Sequence, residues 1–196
     1  MNFRKLHRKI APIIFIPLAL TALTGVLYRL GDSWFDINEN VGELFLAIHQ
    51  GSFLGKELRP MYVLLVGLGT IALIVTGFTM MKFMNKSRPN RPIKKVDFRL
   101  IHQWVAPIVF LPLAMSAVTG IIFRVGRAWF NMSKDTGEIL LELHQGEYFG
   151  KYGESIYVIL VGVGALALLV TGIEMTGIFR PRRTPKPEKS PNGEDS

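Results

Sequence analysis

Apolar residues along this chain gather into four long runs, separated by stretches where charge, Gly, Pro and Asn return. The first covers residues 10–28 and is about as long as a bilayer span, roughly 20 residues. A basic start (Arg4, Lys5, Arg8, Lys9) precedes it, as in a secretory leader, but the run is too long for a signal core. The second covers about 61–81 and starts after Pro60, the third 105–123, the fourth 156–178. All four are expected to be transmembrane helices, at about 8–29, 61–81, 103–124 and 156–178. In lipid, a helix satisfies every backbone group within its own segment.

Between the long runs the pattern changes period. In 38–50, Gly42, Phe45, Leu46 and His49 share one helical face, while Glu39, Glu43 and Gln50 share another. In 133–145, Gly137, Leu140, Leu141 and His144 oppose Glu138, Glu142 and Gln145 in the same way. Gly51 and Gly146 are natural helix stops. The spacing predicts two short amphipathic helices on the outer membrane interface, each with its histidine turned inward.

These correspondences are not local. Residues 7–77 reappear at 102–172, shifted by 95 positions, with 34 of 71 positions identical. Self-similarity of that length means one structural unit used twice. The chain is therefore expected to divide into a first repeat (1–83), a basic linker (84–100), a second repeat (101–179) and a Pro-, Lys-, Ser- and Glu-rich tail (180–196) read as disordered. Each unit crosses twice, so both enter from the same side, related by a pseudo-twofold axis along the membrane normal. The fold class expected is all-α integral membrane, with four transmembrane helices from two parallel two-helix repeats and short interfacial helices in the two outer loops.

Charge adds orientation. The net charge is +8, but the basic residues border the apolar runs, which argues for a membrane flank rather than nucleic-acid binding. Lys and Arg concentrate at the amino end, in the middle loop and in the tail, whereas the loops 31–60 and 126–155 hold the acids. Both termini are expected to be cytoplasmic. Trp34 and Trp129 follow the odd-numbered spans, where interfacial aromatics belong. The absence of cysteine removes disulfides, iron–sulfur clusters and thiol catalysis.

The candidate chemistry lies in the histidines. There are four, all inside the repeat: His7 with His102, and His49 with His144. Two lie at one depth near the cytoplasmic face, two at one depth on the other side. His7, Ala11, Leu18 and Gly25 fall on one face of the first span, as do His102, Ala106, Leu113 and Gly120 on the third. A histidine above small residues leaves room for a flat ligand. Thr24-Gly25, Thr76-Gly77, Thr119-Gly120 and Thr171-Gly172 read first as close-packing residues, and Pro12, Pro17, Pro107 and Pro112 as kink formers. Two imidazoles are too few for a zinc site, which takes three or four protein ligands. Haem iron accepts two axial imidazoles and suits an apolar bundle interior, so two haems are expected, with electron transfer favoured over oxygen chemistry. Arg29 and Arg124 are candidates to pair with haem propionates or with lipid headgroups. The pattern serves equally for pairing within one chain or between two.

The two copies, His7…Thr24-Gly25…His49-Gln50-Gly51-Ser52-Phe53-Leu54-Gly55…Thr76-Gly77 and His102…Thr119-Gly120…His144-Gln145-Gly146-Glu147-Tyr148-Phe149-Gly150…Thr171-Gly172, resemble the PepSY-associated transmembrane (PepSY-TM) family over about 5–178. The resemblance implies a membrane helical bundle. Some such proteins are siderophore-iron reductases of the bacterial inner membrane, with two b-type haems on histidine pairs that match His7, His102, His49 and His144. Larger relatives also carry a soluble periplasmic domain, a departure from this chain.

Three functions follow as alternatives. The first is a di-haem electron-transfer protein or metalloreductase, with a ferric chelate as acceptor. With no nicotinamide or flavin fingerprint, its electrons come from quinol or a protein donor. The second is a non-redox anchor, assembly or regulatory partner of a larger complex. The third is a transporter, against which stands the lack of acids deep in the spans apart from Glu174.

Overall fold

The computed structural model describes residues 2–83 and 97–178; the expectations for most of the basic linker and for the tail lie outside the described residues. Six helices follow in order: α1 (Phe3–Leu30), α2 (Glu39–Gln50), α3 (Leu58–Phe83), α4 (Phe98–Trp129), α5 (Lys134–Gln145) and α6 (Gly150–Thr176). Single 3₁₀ turns at Ser52–Leu54 and Glu147–Phe149 lead into α3 and α6, and a π-helical turn at Gly31–Phe35 extends α1.

The long helices start earlier than hydropathy predicts. In α1 the Asn2 side chain accepts the Lys5 amide, and in α4 the repeat-equivalent Asp97 accepts those of Arg99 and Leu100. These caps satisfy amides that a helix end leaves orphaned, so the basic stretch before each span is already helical. Helix α3 likewise begins before Pro60, which stands in the first turn where its missing N–H costs no hydrogen bond.

Helices α1, α3, α4 and α6 are long and apolar enough to cross a membrane. Each of α1 and α4 packs against both α3 and α6, so the four run round a ring in the order α1, α3, α4, α6. Glycines permit this. Gly67 faces Ile121 of α4 and Gly69 faces Ile14 of α1; in the second copy Gly162 faces Val26 of α1 and Gly164 faces Val109 of α4. A Gly-x-Gly element thus lets each even span lie close to both neighbours, where a side chain would collide. Leu18, Val66 and Leu169 form a small core. Ile13, Ile16, Leu65, Ile108 and Leu111 face outward, an apolar girdle suited to lipid. The fold is an all-α membrane bundle.

The short helices fold as their pattern predicts. Asn38 and Ser133 cap α2 and α5, each after a left-handed residue, Asp36 (φ 46°) or Asn131 (φ 48°). Gly51 and Gly146 end them at φ 69° and 76°, a conformation that L side chains resist. Helix α2 lies on α1 and α5 on α4. That packing turns the last residue but one of each, His49 and His144, into the bundle.

Candidate functional site

Two cavities lie along the bundle, and each is lined by one repeat-equivalent pair of histidines. The larger, on the side of α2 and α5, has a volume near 360 Å³. His49, His144, Gly25, Gly120, Arg29 and Arg124 are among its walls. The smaller, near 150 Å³, is bounded by His7, His102, Ala11, Ala106, Phe78 and Phe110. Leu18, Thr70, Leu113 and Ala165 border both cavities, so one layer of side chains separates them.

Each histidine is seated by a membrane helix of its own repeat. His49 Nδ1 donates to the Thr21 carbonyl of α1 at 2.8 Å, and its ring lies in the gap left by Gly25, where a Cβ would stand 2.9 Å away. His144 Nδ1 donates to the Ser116 carbonyl at 2.9 Å, over Gly120, where a Cβ would stand 3.1 Å away. In the smaller cavity, His7 Nδ1 lies 2.8 Å from Thr76 Oγ1, and His102 Nδ1 lies 2.8 Å from Thr171 Oγ1. Gly77 and Gly172 flank those rings. The four Thr-Gly pairs, read first as close-packing residues, each set a glycine against one imidazole, and Thr76 and Thr171 also bond theirs.

These contacts decide the tautomer. A carbonyl only accepts, so the proton of His49 and of His144 is on Nδ1. The Thr76 hydroxyl gives its one proton to the Ala72 carbonyl at 2.6 Å, and Thr171 gives its own to Ala167 at 2.7 Å. Each hydroxyl oxygen is left to accept from Nδ1–H. All four imidazoles thus keep their lone pair on Nε2, the tautomer of a metal-ligating histidine whose other nitrogen is held by an acceptor. Burial also keeps the larger-cavity pair neutral. It lowers the pKa of His49, against a partial offset from its carbonyl bond. It pushes His144 down to about 4, with the nearby His49 adding to the effect.

The spacing is defined for one pair. The ring centroids of His49 and His144 are 6.2 Å apart, with their planes at 69°. Among the described residues, no group of three or more His, Asp or Glu side chains gathers to hold a metal ion. What the chain offers at each site is a pair of neutral imidazoles in largely apolar walls. In the smaller cavity Phe78 and Phe110 stack at 5.1 Å and take up part of the space between α3 and α4.

Both singled-out arginines reach the larger cavity, by different means. Arg29 forms an ion pair with Glu154 of α6, the one ion pair among the described residues. Glu154 reads from hydropathy as a loop acid; it belongs instead to α6 and is buried. Arg124 donates to Gln50 Oε1 at 2.6 Å. Tyr62 and Tyr157, which the residue pattern does not single out, donate to the carbonyls of Pro17 and Pro112 and wall the same cavity. Their signal in the sequence was only their identity in both repeats. No protein-family model, no curated protein and no solved structure matches this chain.

Proposed function

We propose that this chain is a membrane electron-transfer protein that holds two b-type haems. One would lie between His49 and His144, the other between His7 and His102, and the chain would be a relative of the PepSY-TM proteins. The carrying observation is that all four histidines have Nδ1 committed to an acceptor, leaving a neutral Nε2 lone pair on each member of two cavity-lining pairs. Haem supplies one-electron chemistry when bound. The chain's own residues do the rest. Thr76, Thr171 and the carbonyls of Thr21 and Ser116 orient the imidazoles. Gly25 and Gly120 admit the rings, and the apolar walls exclude water.

The larger cavity is the better-formed site. Its volume falls within the roughly 300–1,000 Å³ of ligand pockets, and its two imidazole rings lie 6.2 Å apart, centroid to centroid. The smaller cavity has the donors but less room, and widening it means turning the Phe78–Phe110 stack aside. Electrons would come from quinol or a protein partner and pass to a ferric chelate. The setting would be a bacterial inner membrane with both termini cytoplasmic, as the Lys and Arg distribution supports.

The test is the reduced-minus-oxidised absorption spectrum of the purified protein, with haem per chain measured. Two haems are expected, His49→Ala removing one and His7→Ala the other. A protein with no haem bands, or one whose bands survive both substitutions together, sinks the proposal.

A further inference from the structure

Beside the larger cavity the two copies of the repeat carry different charges. Residues 59 and 154 are repeat equivalents, yet one is Arg59 and the other Glu154. At the junction of α1 and α6, Arg29 meets Glu154 and is neutralised. At the equivalent junction of α4 and α3, Arg124 meets Arg59. Arg59 and Arg127 both stand close enough to Arg124 to repel its charge. Arg124 has a neutral partner in Gln50. Arg59, unlike Arg29, has no ion pair among the described residues; its Nε, like that of Arg29, is buried without a hydrogen-bond partner. Glu57, the nearest acid in sequence, is exposed and makes no ion pair either. Like charges held together with an unmet donor are destabilising unless an anion joins them.

We propose that Arg59 and Arg124 form an anion site for a paired carboxylate at the α3–α4 edge of the larger cavity. The cavity then has a charged end and, across at Arg29 and Glu154, a neutral one. Guanidinium groups suit this ligand because their fixed fork matches a carboxylate with two parallel hydrogen bonds. Two sources carry that chemistry: the propionates of a haem between His49 and His144, or a diffusible polycarboxylate. The site itself follows from the charges and stands apart from the haem reading.

Two measurements on the full-length protein in nanodiscs separate the sources. One compares the affinity of the cofactor-stripped protein for haem b and for haem b dimethyl ester, whose carboxylates are masked. The other follows the melting temperature with and without citrate. If the site takes propionates, haem b binds roughly tenfold or more tighter than the ester, the scale of one charged hydrogen bond, and Arg59→Gln erases the preference. If it takes a diffusible polycarboxylate, citrate raises the melting temperature of the wild type and not of Arg59→Gln. Should that variant not fold, Arg59→Lys, which keeps the charge but not the fork, is expected to weaken either signal several-fold. Absence of both signals in the wild type, or their persistence in these variants, overturns the site. A protein that takes up no haem sinks the function proposed above and leaves citrate to decide this one.

Discussion

His7 Nδ1 and Thr76 Oγ1 lie 2.8 Å apart across α1 and α3, and the same hydroxyl donates to the Ala72 carbonyl. Thr76 is thereby an acceptor toward the ring, and the imidazole is held with its lone pair on Nε2. Thr76→Val keeps the shape and removes the acceptor. It is expected to weaken cofactor affinity at the smaller cavity by about 10–100-fold, the usual cost of losing a partner that orients a ligating histidine. Thr76→Ser should retain most of it. A haem titration followed by absorbance separates the two, and equal affinity in the valine variant and the wild type would show that the hydroxyl has no orienting role.

The four seats differ in tightness, which gives a paired prediction. A Cβ at Gly25 would stand 2.9 Å from the His49 ring, closer than atoms tolerate, whereas one at Gly77 would stand 3.7 Å from His7, an ordinary contact. Gly25→Ala is expected to displace His49 and abolish binding at the larger cavity. Gly77→Ala should leave the smaller one intact. Haem per chain, measured in each variant, checks the contrast; similar losses in both would contradict it.

Arg29 and Glu154 pair with their side chains only 16% and 10% exposed. Removing one partner strands a buried charge, at a cost of about 3–5 kcal/mol. Glu154→Gln is therefore expected to lower the melting temperature sharply, and adding Arg29→Gln should recover much of the loss. A Glu154→Gln variant as stable as the wild type would place the pair in solvent-like surroundings.

Acid should act on the larger cavity of the cofactor-free protein. His144 titrates near 4 in the folded chain, against an ordinary value of about 6.5 for an exposed histidine. Above that ordinary value both states are neutral and nothing is lost. As pH falls below it, the unfolded chain takes up the proton that the folded chain refuses, so stability declines through the window down to about 4. The imidazole ¹⁵N shifts of His144 are expected to show no protonation at pH 5.5. A midpoint near 6.5 would mean that water reaches the ring.

Much of this architecture was legible in the residues, because lipid imposes long apolar runs and duplication marks each element twice. The spans, the short helices and the stops at Gly51 and Gly146 all follow from patterns within one segment. The helix starts at Asn2 and Asp97 were missed because hydropathy does not register a cap. The roles of Thr76 and Thr171 were missed because a Thr-Gly pair looks the same whether it packs a helix or receives an imidazole 69 residues away. Glu154 read as a loop acid because its partner, Arg29, lies in the other repeat. What a sequence conceals here is contact between segments, and the histidine seats consist of nothing else.

Each imidazole is held entirely by its own repeat, while each cavity is closed by both. One repeat is thus a complete half, and two copies of a single ancestral hairpin would enclose the same two chambers without being fused. Such a self-paired ancestor must carry identical residues at every equivalent position, so it could never set an arginine at one site against a glutamate at its twin. Joining the halves into one polypeptide is what freed positions 59 and 154 to differ, and with them the two ends of the chamber.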